Sequence, residues 1–330
     1  MLRERREHGQ FHGSMASAWT NTLISLSLSP DPLKTYTDLE SRAFWAAVMW
    51  DTSNTLTSGL RASLTSGLKG ACSEPVWRLV RAFLVGSFGP KTERWRTGGF
   101  EVSDDTASQI FSAAAVCKLY LWKNITSLKE AFREGVEEEG VLFTWKALLD
   151  AVELYNTFIK PLFKVCEKQI HFLDQMRRMT WYQVNLHHYL GILVLVDTLE
   201  VAERTDLLAQ VNHERQIAEH ESFNIIKFAI ESTYTIHLTR GSAGDVSLTA
   251  SLVALDPHSH HVLDCVTLMS KGVTSKYRQG KIKHETYSYL HLTLLKALEN
   301  LPRHSKSVQK VQETLKQSYC KLDMSGPKLF

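Results

Sequence analysis

SDDTASQIFSAAAVCKLYLW, residues 103–122, decides the fold class. Ser103 or Asp104 stands where a helix needs an N-cap, because a short side-chain oxygen can accept from the unpaired amides of the first turn. Ile110, Ala114, Cys117 and Leu121 then recur on one helical face. The stretch holds neither Gly nor Pro, so nothing interrupts it.

Working outward, the same period continues in both directions. Downstream, residues 141–176 after Gly140 read as one long helix, with Leu148, Val152, Tyr155 and Ile159 on a face. Pro161 should kink or break it, since its ring displaces the carbonyl four residues back. Residues 180–208 read as a further helix, and residues 213–239 as another that ends near Gly241. SAGDVS, 242–247, is a loop. Two helical segments follow LDPHSHH (255–261) and RQGKIKH (278–284), with apolar-periodic pieces at 287–301 and 307–319. Upstream, EPVWRLVRAFLVG (74–86) opens on Glu74 and Pro75 and closes on Gly86. TYTIHLT, 233–239, is the single β-like fragment, and it stands isolated. The expectation is an all-α, irregular multi-helix domain over residues 37–330. Residues 1–36 read as an irregular tail ending at Pro30 and Pro32.

The composition is that of an ordinary globular chain: 330 residues, 44% hydrophobic, 22% charged, net charge +3. So small a charge gives no argument for nucleic acid or a membrane surface. The longest apolar run, LGILVLV at 190–196, is far short of the roughly 20 residues that a spanning helix needs. It reads as a buried helix face. No signal peptide is visible in MLRERREHGQFHG, and a soluble intracellular protein is expected. The five cysteines (72, 117, 166, 265 and 320) include no C-x-x-C pair, so they read as reduced thiols. Asn124 opens an N-I-T sequon, which reads as chance.

No catalytic set is coherent. GSFGPKT, 86–92, lacks the Gly-Lys-Ser/Thr order of a phosphate loop, and no dinucleotide fingerprint is present. No Ser lies in G-x-S-x-G. Cys166 lies between Lys164 and Lys168, which could lower its pKa, although most such thiols are packing residues. The fourteen histidines leave a metal-dependent enzyme as the rival reading. His213 and His220 would share a helix face, His187 and His188 lie on another helix, and His258, His260 and His261 cluster in a loop. None has the fixed spacing of a ligand set. The basic run around SKYRQGKIKH (Lys271, Lys276, Arg278, Lys281, Lys283 and His284) reads as a solvated linker face, with no DNA-binding motif beside it.

One stretch is harder to place. In ESRAFWAAVMWDTSNTLTSGLRASL, 40–64, Asp51 falls two turns after Phe44, on the stripe of Ala47 and Val48. A carboxylate there needs a partner; Arg61, Arg78 and Arg81 are the candidates. The pattern resembles the signature of the middle homology (fungal-specific transcription factor) domain of fungal zinc-cluster transcription factors. That family carries Arg, an aromatic pair with Trp, an Asp some six residues on, and Gly-Arg-Pro. Here Arg42, Phe44, Trp45, Asp51, Gly59 and Arg61 hold those places, with Leu60 inserted and Ala62 in place of Pro. LHHYLGILVL (186–195) and LDPHSHHVLDCVTLMSKGV (255–273) resemble later family helices. The resemblance implies a nuclear, all-helical, non-catalytic regulatory domain without a bound cofactor. It would meet protein partners of the transcription machinery, with a small-molecule effector between helices as an option. The six-cysteine zinc cluster that reads DNA in that family is absent from these residues, so sequence-specific DNA binding by this chain is not expected.

Overall fold

The computed structural model describes Leu33, residues 74–89, 102–169, 175–239, 245–256, 259–301 and 305–324. The motif residues Arg42, Phe44, Trp45, Asp51, Gly59 and Arg61 lie outside the described residues, as does the expected 1–36 tail apart from Leu33. The chain divides into two compact units, Met1–Val184 and Asn185–Phe330. The described residues are all-α apart from one β-hairpin.

In the first unit, α1 (Glu74–Phe88) is followed by the long α2 (Asp104–Glu134) and by α3 (Glu138–Leu154). Ser103 is the N-cap of α2: its Oγ accepts from the Thr106 amide at 3.2 Å, and Asp104 and Asp105 lie in the first turn, where the helix dipole favours anions. Gly135 ends α2 in the left-handed conformation, φ 66°, which glycine adopts without strain. The turn that follows is short, and α2 and α3 pack as a helical hairpin. The sequence implies one apolar stripe on α2, but every residue from Ile110 to Trp122 is buried. Small residues at Ser112 to Ala115 let neighbours approach closely, so the helix is enclosed rather than half-exposed.

Two boundaries differ from the sequence reading. Helix α1 runs through Gly86 to Phe88. Around Pro161, where a kink or break is expected, the chain stays helical but leaves the regular α form. A π-helical segment, Tyr155–Ile159, precedes α4 (Lys160–Gln169), and the Lys160 amide donates to the Tyr155 carbonyl, five residues back. The wider turn just upstream of Pro161 accommodates the proline within a continuous helical path.

The helix α5 (Gln175–Val201) crosses from the first unit into the second. Residues 184–196 on it are all buried, so LGILVLV is enclosed on every side, not on one face alone. No helix of the described residues is long and apolar enough to cross a membrane. α5 stops at Val201, short of the expected 208. Glu203 takes φ 55° in the turn, and α6 (Thr205–Gln210) restarts the chain under a two-bond Arg204–Asp206 pair.

In the second unit α7 (Asn212–Glu231) ends before TYTIHLT, which is not helical. It is β1 (Thr233–Thr239), paired antiparallel with β2 (Asp245–Ser251) in register Thr233↔Ser251 to Thr239↔Asp245. SAGDVS is therefore only partly a loop. The short α8 (Leu252–Leu255) follows, capped by Ser251. Then come α9 (Ser259–Arg278), α10 (His284–Glu299) and α11 (Lys306–Met324). Ion pairs link three of the helices: Arg215 to Glu200 and Glu219, Lys271 to Asp197, and Lys276 to Glu219. The basic run is a solvated linker only in part: Lys281 and Lys283 are exposed in the connection between α9 and α10. Residues 271–278 lie on α9, and two of its lysines are held by carboxylates on α5 and α7.

Candidate functional site

The imidazoles are the obvious place to look for chemistry. His187 and His188 lie on α5 and are buried, each about 2% exposed; His261, in the first turn of α9, is wholly buried. His260 and His261 belong to that helix rather than to a loop. His258 lies outside the described residues. The fold brings His187 and His261 together edge to face, ring centroids 4.4 Å apart, and His260 lies 4.0 Å from His261. Sequence spacing does not disclose this meeting, because the rings arrive from helices some seventy residues apart. The contacts are ring on ring. Among the described residues no group of three or more His, Cys, Asp or Glu side chains is placed to hold a metal ion. His213 and His220 are exposed on α7, and His220 Nε2 shares a hydrogen bond with the Asn224 amide at 3.1 Å.

A second cluster, missed in the sequence, joins α9, α10 and α11. Tyr277 stacks on Tyr287 at 4.4 Å, and Tyr319 stacks on His291 at 5.2 Å. The Tyr277 hydroxyl is 3.1 Å from His284 Nδ1, and the Tyr319 hydroxyl donates to Ser288 Oγ at 3.3 Å. His291 is wholly buried, with Nε2 2.9 Å from the Leu315 carbonyl. A carbonyl only accepts, so Nε2 carries the proton. Burial holds the His291 pKa below its usual value, although the Leu315 bond works against that shift. Burial likewise raises the Tyr287 phenol. The one sequence signal was the Tyr287–His291 spacing of four on a helix. It marks a shared face, but not what covers that face.

Among the described residues Cys117, Cys166 and Cys265 are buried, and Cys320 is exposed. Cys166 is fully buried, so the flanking lysines do not make it an accessible nucleophile. Burial first, and then the Asp150 charge, raise the Cys117 thiol. Burial pushes Cys265 up to about 12. Asp150 itself accepts from Trp77 Nε1 at 3.1 Å and pairs with Arg81 at 2.9 Å. Trp77 lies flat on Tyr120, centroids 4.3 Å apart. These contacts fasten α1 to α2 and α3. Arg81, one of the candidates for Asp51, is thus engaged by Asp150. Lys118 is buried on α2 with its ammonium 6.0 Å from the Trp122 ring centroid. Asn124 is buried within α2, its amide donating to the Tyr120 carbonyl at 2.8 Å, a placement unlike the exposed loop that glycosylation requires.

Comparison with protein-family models, with curated proteins and with solved structures finds no match for this chain.

Proposed function

We propose that the chain is a non-catalytic regulatory domain of a fungal-type transcription factor, working in the nucleus through contacts with other proteins. The observation that carries this is the spacing of Arg42, Phe44, Trp45, Asp51, Gly59 and Arg61. An all-helical fold is what that resemblance implies. Support also comes from how the reactive groups are used. The central imidazoles pack ring on ring, three cysteines are buried, and the paired carboxylates join helices. Regulation of this kind needs surfaces, not a reaction centre. A small-molecule effector between helices belongs to the same proposal.

The test fuses residues 37–330 to a foreign DNA-binding domain and reads a matching reporter against the DNA-binding domain alone at equal abundance. The fusion should change the output, and Trp45→Asp should cancel the change, since a charge on an apolar helix face breaks its packing. Circular dichroism of the fusion verifies that it is folded. Equal output from the folded fusion and the control, across several growth conditions, overturns the proposal.

A further inference from the structure

The most exposed aromatic side chain among the described residues of the first unit is Phe143, on the first turns of α3. It is 79% exposed, and its neighbour Leu142 is 48% exposed. Val136, in the turn between α2 and α3, is 44% exposed and lies directly over Gly140: a Cβ built on that glycine would come within 2.9 Å of Val136 Cγ1. Gly140 and Phe143 are neighbours along one helix face. Val136, Gly140 and Phe143 therefore lie on one side at the tip of the α2–α3 hairpin, and Leu142 flanks them about 100° round the helix axis. A glycine in a helix costs about 1 kcal/mol relative to alanine. Here it gives Val136 room to fold onto the patch.

The charges at this tip are one-sided. Glu130, Glu134, Glu137, Glu138 and Glu139 are all exposed, against Arg133 and Lys146. The carboxylates that begin α3 complement its dipole and so have a structural reason to be there. Glu134 does not, because it lies in the last turn of α2, where added negative charge is unfavourable; Glu130 stands one residue before that turn. Among the described residues, Phe143 keeps most of its ring outside the packed core.

We propose that the tip of the α2–α3 hairpin docks a basic amphipathic helix of a partner protein. The apolar face of that helix would cover Val136, Leu142 and Phe143, and its Lys or Arg residues would meet the glutamates. Apolar anchors ringed by complementary charge are how a groove or face receives such a helix. The inference stands apart from the transcriptional reading, and its test involves no reporter.

The probe is a designed Lys/Leu amphipathic helix of about 18 residues, some five turns, with a Glu/Leu peptide of the same pattern as control. Each is labelled and titrated with the full chain, and fluorescence anisotropy reads binding. The Lys/Leu peptide should bind saturably at one site, more weakly as salt rises. The double variant Leu142→Ser, Phe143→Ser should weaken it at least about tenfold. So should Glu130→Lys with Glu134→Lys, a pair that relieves unfavourable charge at the end of α2 and so leaves the fold intact. Circular dichroism verifies that both variants keep their helix content. Absence of saturable binding, equal binding of the Glu/Leu peptide, or unchanged affinity in either folded variant overturns the proposal. Self-association of the chain that Phe143→Ser abolishes overturns it too, since a second copy would then be the occupant.

Discussion

His291 shows how one side chain can carry a pH dependence. Its ring is enclosed by Tyr287 and Tyr319, and its Nε2–H is spent on the Leu315 carbonyl. Burial disfavours the charged imidazolium more than the Leu315 bond favours it, so the folded pKa lies below the unfolded 6.5. The unfolded chain then binds more protons than the folded one between those two values. The stability from His291 is complete above pH 6.5 and falls away as pH drops through the depressed folded value. His291→Gln keeps a donor for Leu315 without a titrating ring. The melting temperature of wild type should fall more steeply than that of His291→Gln below pH 6.5, and parallel curves would refute this. That such a residue matters was not legible beforehand. Tyr287 lies on the same helix as His291, but Tyr319 and the Leu315 carbonyl come from α11, and only folding brings them there.

The elements divide by where their determining interactions lie. Helix α2 was readable because its cap and stripe are local: Ser103 stands one residue before the helix and acts within three residues of itself. Ser103→Ala should therefore lower stability by about 1 kcal/mol, read as a lower urea midpoint. Ser103→Asp should retain the midpoint, since aspartate caps as well and adds a charge that the dipole favours. An unchanged midpoint for Ser103→Ala would mean that the cap contributes nothing. The hairpin was not readable in the same way. TYTIHLT was recognisably β-like, but a strand has no hydrogen-bond partners within itself. Its partner DVSLTAS alternates apolar and polar residues over 245–251, but its first three residues also read as loop beside Gly244. The expectation at Pro161 is incomplete for a related reason. The rule that proline breaks a helix assumes a regular α-ladder, and the π-turn at Tyr155–Ile159 removes that assumption.

At the scale of the whole molecule, an all-α class followed from periodicity summed over many segments, a property that survives errors at individual boundaries. Enclosure did not follow. Ile110 to Trp122 and residues 184–196 are buried on all sides, and sequence gives only the local half of such packing. The same limit governs the choice between regulator and metalloenzyme, because ligand sets are assembled from distant segments. That choice can be put to the intact chain. A metal bound to the folded state alone stabilises it by about RT ln(1 + [L]/Kd), near 4 kcal/mol at a thousandfold excess over Kd. Removing such a metal would shift the melting curve by several degrees. His187, His260 and His261 meet ring to ring, and among the described residues no set of three ligands converges. Purified chain treated with EDTA and dialysed should melt at the same temperature as untreated chain. Adding zinc at micromolar concentration should not raise it. A drop on chelation that zinc restores, with His261→Ala abolishing the response, would instead place a metal among these imidazoles. It would also favour the enzyme over the regulator.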